Sequence, residues 1–177
     1  MKPYITDSMK NGKYILPIQY GGRDKDFVGS LSGGHIKAYG LPNKQSLTMA
    51  WEFFLSFGNG SVLKFSSACT NVGGWEELGS INLEIYDIES IEDFSDILVW
   101  HDIEDFLVKK IGIICYEDAK IYSECGIFFE NGKNENLIVC TGISPGSVSV
   151  FSSFSFVDFD PEIPIEKCRK IYITSDG

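Results

Sequence analysis

The chain has 177 residues, 44% of them apolar and 14% aromatic, which suits one domain with a buried core and excludes general disorder. Its formal net charge of −10 excludes bulk binding to a phosphate backbone, which needs Lys and Arg to displace counterions. No stretch approaches the roughly 18 apolar residues of a membrane helix. Residues 1–7 lack the apolar run of a signal peptide, so a cytoplasmic protein is expected.

Taken in chain order, Tyr14–Tyr20 reads as a strand, and Gly21-Gly22, Gly33-Gly34 and Gly40 punctuate an N-terminal region with little periodicity. Trp51, Phe53, Leu55 and Phe57 then alternate with Glu52, Phe54 and Ser56, the period of two that marks a strand. Gly58-Asn59-Gly60 supplies the positive φ angles of a tight hairpin, and Ser61–Ser67 returns as a second strand. After the loop 71–74, Ile81, Leu83 and Ile85 mark a third. These three predict an antiparallel meander with one wet face.

Ser90 is a plausible helix N-cap, with Glu92 and Asp93 in the first turn. Ile91, Phe94, Ile97 and Leu98, and again Ile103, Phe106 and Leu107, fall at helical spacing before Lys109 and Lys110. The spacing predicts one or two helices near residues 90–108, with an extended Ile97–Trp100 as the alternative. Strands are then predicted over 110–117, 121–130, 135–141, 147–156 and 170–174, with an Asn131-Gly132 hairpin turn. The expected fold is α+β: a single domain over residues 1–177, mainly antiparallel sheet.

The charge is uneven. Between Phe65 and Val108 there are eleven acids and no Lys or Arg. On a protein surface this is either a solvated face or an electrostatic surface for a basic partner. The candidate partner-binding residues are Glu84, Asp87, Glu92, Asp93, Asp96, Asp102, Glu104 and Asp105, with Trp100 as an aromatic anchor and Trp75 and Tyr86 beside it.

Catalytic motifs fail on physical grounds. Gly142-Ile143-Ser144-Pro145-Gly146 matches the G-x-S-x-G nucleophile elbow. The elbow needs an oxyanion N–H after the serine, and Pro145 has none. It should also lead into a helix and precede a histidine, whereas strand follows and both His35 and His101 come earlier. Ser30–His35 is glycine-rich but lacks the Lys-Ser/Thr of a phosphate loop. Asp158, Asp160 and Glu162 alternate without any calcium-loop pattern. The five cysteines, at 69, 115, 125, 140 and 168, form no C-x-x-C pair, and most sit among apolar neighbours as reduced core residues. Neither a metal nor a cofactor is expected.

The run Tyr116–Gly132, with Leu137-Ile138-Val139-Cys140-Thr141-Gly142 and Pro145-Gly146-Ser147, resembles small bacterial immunity-type proteins, the cytoplasmic inhibitors encoded beside polymorphic or contact-dependent toxins. The likeness is a β-hairpin pattern over roughly thirty residues and carries no site residues. It implies a non-catalytic inhibitor that binds a cognate toxin domain; a basic nuclease would suit the acidic segment. Two other readings stay open: a small enzyme or ligand-binding domain whose site is assembled from distant residues, and a structural subunit of a larger assembly.

Overall fold

The computed structural model describes residues 5, 9–74, 76–87 and 97–173, the side chain of Asp105 excepted. In chain order the strands are β1 (Met9–Lys10), β2 (Lys13–Leu16), β3 (His35–Pro42), β4 (Phe53–Phe57), β5 (Ser61–Asn71), β6 (Glu77–Asp87), β7 (Leu98–Glu117), β8 (Ile121–Asn131), β9 (Asn136–Thr141), β10 (Val148–Ser152) and β11 (Arg169–Ile173). One short helix, α1 (Asp26–Gly29), precedes β3, and a 3-10 turn (Ile165–Lys167) precedes β11.

The strands make one curled, half-barrel sheet. Its backbone order is β1-β2-β8-β7-β3-β4-β5-β6, with β9 and β10 continuing from β8 and β11 pairing with β7. The pivot is β7, which is long enough to serve both halves. Its first part pairs with β3, and its second part pairs with β8 and β11. The halves face each other across one core that includes Phe53, Leu55, Phe65, Ile81 and Leu83 from one side and Ile111, Ile127, Phe129 and Val139 from the other. Phe65 and Phe129 meet edge to face, ring centroids 6.3 Å apart, and so join β5 to β8. Glu117, at the end of β7, holds Lys13 at 2.6 Å and Arg169 at 2.7 Å, tying β2 and β11 to the pivot.

The meander of β4, β5 and β6 forms as its alternation predicts, and the Asn131 turn forms between β8 and β9, where Asn131 Oδ1 accepts from the backbone N–H of Lys133 and Glu135.

Four expectations are corrected. Residues 98–108 are strand, not helix, so the extended alternative is the one that holds for residues 98–100. While β3 advances from Ile36 to Ala38, β7 advances from Phe106 back to Asp102, so β7 bulges. The bulge moves the buried positions to 103, 106 and 108, a spacing of three then two that imitates a helical face. Residues 88–96, the rest of the predicted helix, lie outside the described residues. The α+β expectation gives way to a mostly β fold, 59% strand and 5% helix, whose sheet is mainly antiparallel as expected, with one parallel pair in which β2 runs beside β8. The partner of β2 is set by a long return from the N-terminus, which no local pattern encodes. The strand expected over Tyr14–Tyr20 is shorter, Lys13–Leu16, though Gln19 makes a parallel bridge to Asn82 farther on. Finally, the meander has no fully wet face: all five residues of β4 are buried, because outward-pointing Phe54 is covered by Trp100 from β7.

Candidate functional site

Residues paired across neighbouring strands project from the same side of a sheet. The register therefore assembles two rows on the outer face, opposite the core. One runs Glu84, Lys64, Phe54, Gly40, Trp100 across β6, β5, β4, β3 and β7. The next runs Tyr86, Val62, Ser56, Ala38, Asp102 across the same strands. Three of the sequence candidates, Glu84, Trp100 and Asp102, thus share one face although they come from opposite edges of it.

The aromatic part of the face is a small cluster of its own. Phe54, Val62 and Leu98 are buried there, and Tyr86 and Trp100 pack against them. Phe54 and Trp100 meet edge to face at 6.4 Å. Gly40 leaves the room for the indole: a Cβ built at residue 40 would lie 3.1 Å from Trp100.

The polar part centres on Lys64. Its ammonium lies 2.6 Å from Glu52 Oε1 and 3.6 Å from Glu84 Oε2. Tyr86 donates its hydroxyl to the same Glu84 oxygen. Burial, then that hydrogen bond and charge, push the Tyr86 hydroxyl up to about 12. A cleft of about 590 Å³ opens over this group, lined also by Pro42, Trp51, Ser66, Asn82 and Ile97. Trp51 and Ile97 are exposed on its rim. A second cleft of about 660 Å³, between Gln19–Arg23 and the end of β6, begins on the other side of Glu84.

The other candidates are more scattered. Asp87 is exposed at the end of β6, opposite Ser61, and Glu104 is exposed on the bulged part of β7. Glu92, Asp93, Asp96 and Trp75, together with the Asp105 side chain, lie outside the described residues. Sequence reasoning missed Lys64, which stops one residue short of the acid-only segment yet faces Glu84 directly. The segment is free of basic residues along the chain but not in space. The hairpin register was the signal that would have found this pair.

The rejected motifs rest where their chemistry suggests. Gly142–Ser147 is the turn of the β9–β10 hairpin, with Ser147 N–H and Oγ–H both donating to the Ser144 carbonyl. His101 stacks on Tyr39 with ring centroids 4.7 Å apart. Glu162 accepts the backbone N–H of Gly79 at 2.9 Å. Among the described residues no group of three or more His, Cys, Asp or Glu side chains could hold a metal ion, and no helix is long and apolar enough to cross a membrane. Of the cysteines, Cys115, Cys125 and Cys140 are buried, while Cys69 and Cys168 are half-buried. Comparison with protein-family models, with curated proteins and with solved structures finds no match to this chain.

Proposed function

We propose that this chain is a non-catalytic protein-binding inhibitor, of the immunity type, that holds a cognate bacterial toxin domain through the outer face of β3–β7. The observation that carries the reading is the convergence of Glu84, Tyr86, Trp100 and Asp102 on that face. An aromatic anchor flanked by acids suits a basic protein partner: the rings supply desolvated contact area, and the carboxylates steer approach. The inhibitor would act by covering the toxin's active site, with no chemistry of its own.

The test is co-expression with the product of the adjacent upstream reading frame, followed by isolation of the complex. Rescue from toxicity with a stable complex supports the reading, and toxicity unrelieved by the chain overturns it. Reversing the exposed acids, Asp102→Lys with Glu104→Lys, is expected to slow association by about tenfold, since steering of this kind is worth one to three orders of magnitude. It should also flatten the dependence on salt. Unchanged kinetics would remove the acidic face from the mechanism.

A second reading, capture of a small polar ligand, is favoured by the cleft over Lys64, where polar groups from β5, β6 and the 42–52 connection converge. Ligand-observed NMR with a fragment set separates the two. Hits that Lys64→Ala abolishes favour the ligand, and none favours the protein partner.

A further inference from the structure

Two thiols on the opposite side of the molecule are poised for chemistry that the outer face does not use. Cys125 lies on β8 at a break in register: β7 advances one residue, Ile114 to Cys115, while β8 advances two, Gly126 to Glu124. Cys125 is thus the extra residue of a bulge, buried in a small cluster with Ile114, Phe128, Ile138, Cys140 and Ile163. Cys168 ends the 3-10 turn that leads into β11 and packs against the same cluster while staying half-buried. The two sulfurs are 3.9 Å apart.

We propose that Cys125 and Cys168 form a reversible oxidation site, in which a hydroperoxide converts the pair to a disulfide. Cys168 is the attacking sulfur because it is the one solvent reaches. Its contact with Cys125 favours its thiolate, whereas that contact and burial hold Cys125 protonated. The Cys168 thiolate attacks a peroxide oxygen, the O–O bond breaks, and hydroxide leaves to be protonated to water. The sulfenic acid left on Cys168 is then attacked by the Cys125 sulfur. The S–O bond breaks, hydroxide departs, and the Cys125 proton completes a second water. Two thiols and one hydrogen peroxide give one disulfide and two waters. A disulfide needs the sulfurs at about 2.05 Å. The remaining approach falls to the turn carrying Cys168, which is closed by the Lys167 N–H on the Pro164 carbonyl and leads into the short strand β11. Cys69, the other half-buried thiol, donates to Glu77 at 3.3 Å and has its pKa pushed up to about 11, mainly by burial and that contact. It has no such partner sulfur among the described residues.

The experiment treats the folded full chain with hydrogen peroxide, blocks free thiols with iodoacetamide after denaturation, and maps the peptides by mass spectrometry. The expected product is a peptide pair joining Cys125 to Cys168, lighter by two hydrogens and restored by a dithiol reductant. Cys168→Ser should remove it, and Cys69→Ser should leave it unchanged. Oxidation of Cys168 to sulfinic acid with Cys125 still free would overturn the proposal. So would a link through Cys140 or Cys115, or reaction at Cys69 alone.

Discussion

Gly40 on β3 stands directly opposite Trp100 on β7, and the indole occupies the space where any larger residue would put its side chain. This pairing lets an aromatic ring lie flat against the outer face and reach Phe54 on the next strand. Burying a glycine beneath a cross-strand aromatic offsets the weakness that glycine brings to a strand. The shape of the candidate interface therefore depends on a residue with no side chain.

Gly40→Val is expected to cost about 1–3 kcal/mol, the usual range for overpacking. It should also push Trp100 off Phe54. The cost should shrink in a Trp100→Ala background, where the added methyls fill vacated space. Urea denaturation of the two singles and the double measures this coupling; additive costs would mean that the indole does not rest on Gly40.

Lys64→Ala should destabilise the chain by about 1–2 kcal/mol, because it removes the ammonium that lies between two part-buried carboxylates, Glu52 and Glu84. Adding Glu84→Gln removes one of the two charges and should recover part of that loss. A neutral Lys64→Ala would show that the two ion pairs contribute nothing net, as exposed pairs often do.

The local elements were legible where they rest on short-range patterns. The alternation over Trp51–Phe57 and the turn Gly58-Asn59-Gly60 announced the hairpin with the strand expected over Ser61–Ser67, which the structure extends to Asn71. Long-range pairing was not legible. Nothing near Leu98–Val108 announces that β3, some sixty residues earlier, supplies its partner, and the bulge then disguises the strand as a helix. The candidate site was half legible for the same reason. Glu84, Trp100 and Asp102 were identified by type, but their common face depends on β3 lying between β4 and β7. Lys64 was overlooked because charge was counted along the chain rather than across the register.

Glu162 gives stability a specific dependence on pH. Burial raises its pKa, against the opposing effect of the Gly79 N–H that it accepts. A carboxyl whose folded pKa exceeds its unfolded value contributes stability that is present at low pH and lost as pH rises through the folded value. Glu162→Gln keeps an acceptor for Gly79 without the charge. The stability of wild type relative to Glu162→Gln should therefore fall as pH rises from the acid range toward neutrality. Chemical denaturation at a series of pH values measures the difference. A flat difference would mean that the carboxylate is as well solvated in the fold as in the unfolded chain.

Gly112 repeats the logic of Gly40 under tighter constraint. It lies in the middle of β7, flanked by Phe128 on β8 and Tyr172 on β11. A Cβ there would fall 2.3 Å from the Phe128 ring and 2.6 Å from the Ile171 carbonyl oxygen. A ring can rotate away, but the carbonyl belongs to the β11 backbone, so an added methyl must displace the strand. Gly112→Ala should thus cost about 2–3 kcal/mol, toward the upper end of overpacking penalties. Amide hydrogen exchange should show the loss first in β11, whose described pairing is to β7. Removing the ring instead, by Phe128→Leu in the Gly112→Ala background, should leave most of the cost in place, because the carbonyl clash remains. Full recovery in the double variant would assign the constraint to Phe128 alone.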